Sequence, residues 1–310
     1  MPRPPQPHGT AVILAVTGGT GFVGRTLIEL LVAAGHEVLA LARRAQAPRD
    51  GVTWFEGALD QPDALATLAS GADAVIHVAG VVNAPDRAGF VAGNVAGTQA
   101  MLAAAHATGV SRFVHVSSLA AREPDLSTYG WSKAEAEHAV AASPLDWVMV
   151  RPPGVYGPGD LDMLDLFRLA RRGLGMAPKG RISLIEVSDL ARLLLALATH
   201  ASPRVIYEAD DGTPAGWSHA DYAHAIGRAV GKQVTPLPLP ATALKLAARA
   251  DMALRGAKAR LTLDRARYIA HPDWVIDPAK RPPAALWTPQ VATEQGLAAT
   301  AAWYRAQGLL

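Results

Sequence analysis

Cysteine is absent from this sequence, so disulfides, thiol catalysis and thiolate metal sites are excluded. Other metal ligation is not expected either. The ten histidines are scattered, with no HExxH or comparable pairing. Charge of one sign is also missing: a net +2 over 310 residues leaves no nucleic-acid footprint. No long hydrophobic run occurs, and the greasiest stretch, Leu190–Ala198, is too short and too interrupted to span a bilayer. The opening MPRPPQPHGT has no apolar signal core and reads as a proline-rich, disordered tail over residues 1–10. What remains is the composition of a globular cytoplasmic protein, 50% apolar and 18% charged, large enough for one domain with a smaller lobe.

What is present begins at Val12–Gly24, VILAVTGGTGFVG. An apolar run of strand type stops at Thr17, glycines follow at Gly18, Gly21 and Gly24, and helical periodicity starts at once with Phe22, Val23, Leu27, Leu30 and Leu31. Strand, glycine turn and helix in this order make a dinucleotide cradle. Gly18 allows the tight turn, Gly21 lets the backbone approach a pyrophosphate, and Gly24 lets helix and strand pack closely. The helix N-terminus offers N–H groups and a positive dipole end to the phosphates. Gly18, Thr20, Gly21, Phe22, Val23 and Gly24 are therefore the expected phosphate-binding residues.

Further strands are predicted at Glu37–Ala42, Val52–Phe55, Ala74–Val78, Arg112–Val116 and Trp147–Val150, with helical patterns at Pro62–Ala69, Ala88–Ala107 and Thr128–Ala142. Strict alternation of strand and helix implies a parallel, doubly wound α/β sheet whose ligands sit beyond the carboxyl ends of the strands. The second strand ends in Ala42-Arg43-Arg44. An acid in the place of Ala42 would accept a hydrogen bond from a free ribose 2′-OH; Arg43 and Arg44 suit a 2′-phosphate instead. NADP(H) is expected over NAD(H).

The fifth strand delivers Ser117 and Ser118 at its end, and Tyr129-Gly130-Trp131-Ser132-Lys133 opens the helix that follows. Positions i and i+4 share a helix face, so Tyr129 and Lys133 point into one cleft. A phenol of pKa about 10 is a poor acid–base group at neutral pH. A nearby ammonium stabilises its phenolate and brings it toward the working range. The expected catalytic set is Ser118 holding a substrate oxygen, Tyr129 exchanging its proton, and Lys133 tuning Tyr129.

The motifs TGGTGFVG, YGWSK and Arg151–Asp160 (RPPGVYGPGD) together resemble the extended short-chain dehydrogenase/reductase family, and the likeness runs from Val12 to Leu310. It implies a Rossmann-type NADP-binding domain over 11–155, with 184–208 returning to it. A smaller C-terminal α/β substrate lobe would comprise 156–183 and 209–310. It also implies that Leu59 lies along the adenine, that His77, Val78 and Ala79 line the cofactor's phosphate and ribose region, and that Ser117 faces the cofactor. Pro152 and Val155 would approach the nicotinamide, and Lys133 its ribose. The sequence departs from the family at Ala58, where Asp is usual, and in the short Leu119–Thr128 loop. Gly154 replaces the Asn with which nucleotide-sugar relatives contact a phosphate. The likeness is strongest to the dihydroflavonol reductase and 3β-hydroxysteroid dehydrogenase branch, which implies a small-molecule substrate that is a bulky, largely hydrophobic ketone or alcohol. A 3-oxo-sphingolipid or ceramide would fit the same pocket. The alternatives are a nucleotide-sugar 4-epimerase or dehydratase, and a non-catalytic cofactor-binding relative; a homodimer stays open.

Pro240–Leu261 sorts on a helical wheel into an apolar side (Leu246, Ala250, Ala253, Leu254, Ala257, Leu261) and a basic side (Lys245, Arg249, Arg255, Lys258, Arg260). One reading is a solvated basic face over an apolar core. The other is an interfacial helix drawn to anionic lipid at the inner face of the membrane.

Overall fold

The computed structural model describes residues 11–200, 204–256, 259 and 261–310. The expected tail over 1–10 lies outside them. From the first described strand, the chain runs β1 (Ile13–Thr17), α1 (Phe22–Ala33), β2 (Glu37–Ala42), β3 (Val52–Glu56), α2 (Pro62–Ala69) and β4 (Ala74–His77). It continues through α3 (Arg87–Phe90), α4 (Gly97–Ala107), β5 (Arg112–Val116), α5 (Thr128–Ala142) and β6 (Asp146–Arg151). An excursion through β7 (Gly154–Tyr156), α6 (Leu164–Arg171), β8 (Leu174–Pro178), β9 (Arg181–Ile182) and β10 (Leu184–Glu186) follows. Then α7 (Val187–Thr199) carries the chain back to β11 (Val205–Glu208).

The main sheet has the order β11-β6-β5-β4-β1-β2-β3, with every pairing parallel. Its strands are apolar on both faces because helices cover both. Leu14 and Val16 of β1 meet Leu27 and Leu31 of α1 and Leu190 and Leu194 of α7. Ala15, one residue out of step, turns to the other face with Leu65 and Leu68 of α2 and Met101 of α4. Strand order reverses between β1 and β4, which opens a crevice at their carboxyl ends.

The remaining elements are β12 (Trp217–Ser218), α8 (His219–Val230), β13 (Thr235–Leu239), α9 (Ala241–Arg255), α10 (Leu263–Ala270), β14 (Asp273–Trp274) and α11 (Thr293–Ala306). Phe167 of α6, Tyr222 and Ile226 of α8, and Leu297 and Tyr304 of α11 form a second core with Tyr156. Asp189 ties this part to the sheet: its carboxylate accepts the backbone N–H groups of Gln290 at 2.8 Å and Val291 at 2.9 Å.

One local expectation gains detail and another is corrected. The pattern at Ala88–Ala107 forms one unbroken helical run over 87–107, with a wider π segment over Val91–Ala96 where α3 passes into α4. Asn94 gives the reason. Its buried amide accepts the N–H of Val81 at 2.7 Å, and donates to Val81 O at 2.9 Å and Ser132 Oγ at 2.8 Å. These bonds join the loop after β4 to α5. The correction concerns α9, whose supposed core side is outermost: Leu246 is 69% and Leu254 85% exposed. Leu244 and Ala248 are buried in their place, against Ala266 of α10. Ala257, Lys258 and Arg260 lie outside the described residues.

Candidate active site

The glycine loop closes the end of β1. Gly18 sits at φ +74°, and a Cβ built there would come within 2.7 Å of Ala79 N, so the loop and the turn after β4 are in close approach. Gly24 is tighter still, with a built Cβ 2.1 Å from Gly18 O. The N-cap of α1 is Gly21, and no side chain caps the helix. The first-turn N–H groups of Phe22, Val23 and Gly24 are left for an anion, and the exposed Thr20 and Gly21 border the same place. This arrangement suits the pyrophosphate of a dinucleotide. Phe22 also faces Gly159, 3.6 Å from a Cβ built there, and so touches the excursion after β6.

Not every rim residue presents its side chain to the cleft. His77 is fully buried. Its Nδ1 pairs with Thr17 Oγ1 at 2.8 Å and its Nε2 with Thr98 Oγ1 at 3.2 Å. Burial drives its pKa down to about 3, with the charge of Lys133 adding to the effect. A neutral imidazole holding β1 to α4 cannot touch a cofactor, which corrects the expectation for its ring. Ala79 N donates to Thr17 Oγ1 at 3.2 Å, so that N–H is also taken. Val78 and Val155 are half-buried, and both pack on the core beneath the sheet's end. Leu59 packs on Gly97, 2.6 Å from a Cβ built there. Pro152 is buried, and its carbonyl accepts Leu119 N at 3.0 Å. Arg43 and Arg44 are exposed just beyond β2. A shallow pocket beside the glycine loop is lined by Gly19, Thr20, Arg25, Gln46, Arg49 and Trp54.

Ser118, Tyr129 and Lys133 come together at the carboxyl end of β5. Ser127 caps α5 by accepting the N–H of Gly130, which fixes the first turn bearing Tyr129. The phenol of Tyr129 hydrogen-bonds Ser118; burial pushes its pKa up, and the hydrogen bond works against that. Lys133 Nζ donates to Val116 O at 2.8 Å. Burial lowers its pKa to about 8, with Glu137 acting in the opposite sense. A half-buried phenol, a hydroxyl and an ammonium in one cleft can bind an oxygen atom and pass it a proton.

Ser117 is turned the other way. Its hydroxyl donates to Glu137 Oε1 at 2.5 Å, which corrects the expectation that it faces the cofactor. Glu137 lies one turn beyond Lys133 on the same face of α5. It also takes both arms of Arg151, Nε at 2.8 Å and Nη2 at 2.6 Å. Hydrogen bonds donated to Glu137 raise the Arg151 pKa. Glu208 continues the network, 3.5 Å from both Arg151 Nη1 and Lys280 Nζ. A buried carboxylate is tolerable only when paired in this way.

A model of the NAD dependent epimerase/dehydratase family matches residues 14–208. The chain belongs to this family. It is 35% identical to the ceramide reductase of Caulobacter vibrioides over 96% of both chains. It is 31% identical to a 4-hydroxy-2-methyl-3-oxo-4-farnesyl-3,4-dihydroquinoline-1-oxide ketoreductase of Stigmatella aurantiaca, over 64% of this chain and 68% of that one. Among solved structures, MoeE5 in complex with UDP-glucuronic acid and NAD superposes with a TM-score of 0.72. That match has 21% identity over 96% of this chain and 100% of the other, a likeness of fold. The protein is an NAD(P)-dependent oxidoreductase of the extended short-chain type.

The sequence reading of this family member passed over Glu137, although the signal was there. Glu137 continues the Tyr129–Lys133 spacing by another four residues. Its partner Arg151 ends β6, and only the packing of α5 against the sheet brings the two together. Arg25 and Arg49 were passed over too, since α1 and the loop before β3 meet only in the fold.

Proposed function

We propose that this enzyme reduces, with NADPH, a bulky and largely apolar ketone, and that a keto-lipid of the 3-oxo-ceramide type is the leading candidate. The observation that carries the reading is the wall around Tyr129. Its ring packs on a cluster formed by Leu119, Leu126, Tyr268, Trp274 and Ile276, none of them charged. Phe90 adds a further ring, 6.3 Å from that of Tyr129 between centroids. A ligand gains about 25 cal/mol for each Å² of apolar surface it removes from water. A long chain laid over the half-buried Leu126, Tyr129 and Tyr268 can therefore bind there without charged contacts. Position 154 also speaks against a sugar nucleotide. A Cβ there would meet Leu184 Cδ2 at 3.1 Å, so the place of the relatives' Asn is closed by an apolar side chain. The ceramide reductase and the farnesyl-bearing ketone named above support the same class.

When bound, NADPH supplies the hydride that converts the carbonyl carbon to a carbinol. Ser118 holds the substrate oxygen by a hydrogen bond, and Tyr129 gives that oxygen its proton. Lys133, protonated below about pH 8, stabilises the phenolate left on Tyr129. Glu137 keeps Lys133 charged and holds Ser117 and Arg151 in place beneath it.

The test is a thermal-shift panel with NADPH present, followed by turnover of the hits. Saturable stabilisation and NADPH oxidation with keto-lipid, steroid or flavonoid ketones are expected. Stabilisation and conversion of a UDP- or dTDP-sugar alone would overturn the reading. Cofactor choice is tested separately. A 2′-phosphate would be held by Arg43, with Arg44 beside it and Arg25 and Arg49 lining the adjoining pocket. Arg43→Ala is expected to weaken NADPH relative to NADH by at least about tenfold, the worth of one charge-assisted contact. Tighter binding of NADH by the parent, or an unchanged ratio in the variant, would refute the assignment.

A further inference from the structure

Helix α9 is oriented against its own composition. Its inner side carries Leu244, Ala248 and Asp251, spaced i, i+4 and i+7. The first two are buried against α10, where Leu263 and Ile269 pack alongside. Asp251, the helix's single acid, accepts the backbone N–H of Leu261 at 2.8 Å and pairs with Arg255 at 3.3 Å. The outer side carries a second stripe, Leu246, Ala250 and Leu254, widened by Ala243, Ala247 and Ala253, all exposed. Lys245 and Arg249 run one turn apart along its edge, with no acidic partner among the described residues. Met252 is exposed as well, and so are Leu237 and Met176, which face each other across β13 and β8. Isolated exposed leucines are ordinary. An outward stripe of Leu and Ala with unpaired cations at its edge is not.

We propose that this face of α9 docks on an anionic lipid bilayer. The stripe is aliphatic and shallow, without an aromatic anchor, which suits insertion among acyl chains better than a protein pocket. Its uncompensated cations complement lipid phosphates, each worth about a fivefold gain in affinity near such a surface. Among the described residues no helix is long and apolar enough to cross a membrane, so contact through α9 is peripheral. The placement of α9 links docking to the cleft. Asp264 of α10 accepts the N–H of Thr128, the first residue of the Tyr129 helix, at 3.0 and 3.1 Å. Arg265 reaches Asn83, in the loop beyond β4, at 3.4 Å. The α9–α10 hairpin is thus fastened to the rim of the active site, and docking sets that rim against the membrane.

The inference does not depend on which ketone is reduced. It is tested by flotation of the whole protein with phosphatidylglycerol-rich vesicles and with pure phosphatidylcholine vesicles. Binding to the first and not to the second is expected, weakened by high salt. The double variant Leu246→Glu/Leu254→Glu should lose at least about tenfold in partitioning. Lys245→Glu/Arg249→Glu should lose affinity and the salt dependence together. All four positions are exposed, so the melting temperature and turnover of a water-soluble ketone should match the parent. A parent that stays in solution beside anionic vesicles, or variants that float as the parent does, would overturn the proposal. So would a parental dimer that the leucine variants split on light scattering, which would give the face to a second copy. Vesicle binding without keto-lipid turnover would sink the proposed substrate and leave the docking face standing.

Discussion

Replacing Tyr129 with phenylalanine is expected to lower turnover by at least about a hundredfold while leaving NADPH affinity nearly intact. The ring of Tyr129 packs against Phe90 and the Leu119–Trp274 cluster, and phenylalanine keeps those contacts. Only the hydroxyl is lost, and with it the bond to Ser118 and the transferable proton. Single-turnover rates and a calorimetric NADPH titration separate the two readouts. A variant retaining a tenth or more of the parent's turnover would remove Tyr129 from the chemistry. The parent carries a companion signature in its pH profile. Lys133 sheds its proton near pH 8, because burial disfavours its charge more than Glu137 restores it. Above that pH the phenolate loses its counter-charge and the phenol its role as donor. The reductive rate is therefore expected to fall as pH rises through about 8, and a flat profile through that range would contradict the pairing of Lys133 with Tyr129.

Gly24→Ala is expected to damage fold and cofactor site together. Its Cβ would lie 2.1 Å from Gly18 O and 2.8 Å from Gly19 Cα, and both neighbours are backbone. No rotamer change relieves such an overlap, so the loop or α1 has to move. The same Gly18 carbonyl accepts the N–H of Gly21 at 3.0 Å, the bond that closes the turn. Overpacking of this kind costs about 1–3 kcal/mol. A lowered melting temperature and the loss of stabilisation by NADPH are the expected readings. Gly21→Ala is the control. Its Cβ meets only Gly18 O, at 3.3 Å, and it points into the open place before α1. That variant should melt near the parent and yet bind the dinucleotide weakly. If Gly24→Ala melts with the parent, the close approach of loop and helix is not what organises this site.

Much of the site was readable because it is local. Strand alternation, a glycine turn and an i, i+4 pair on one helix face follow from backbone geometry within a dozen residues. Hence the parallel sheet, the loop before α1 and the helix that carries both Tyr129 and Lys133 could be read from the chain. The family likeness of RPPGVYGPGD carried the reading further, to the point where the chain leaves the sheet.

Other features depend on partners distant in the chain. Ser117 and Ser118 are adjacent, and neighbouring side chains at a strand's end point to opposite sides. That Ser117 turns away from the cofactor side was decided by where Glu137, itself held by Arg151, came to rest. His77 looked like a rim residue until Thr17 and Thr98, 60 positions before it and 21 after, closed over both its nitrogens. Asn94 widened a helix turn because its amide found Val81 and Ser132 rather than its own neighbours. The case of α9 is the sharpest. Its sequence contains two apolar stripes, and periodicity alone cannot rank them. The narrow surface offered by α10 admits Leu244 and Ala248, and Asp251 must turn inward to cap Leu261. The wider stripe is left facing outward because burial is decided by the shape and hydrogen-bonding needs of the partner surface, which no single helix encodes.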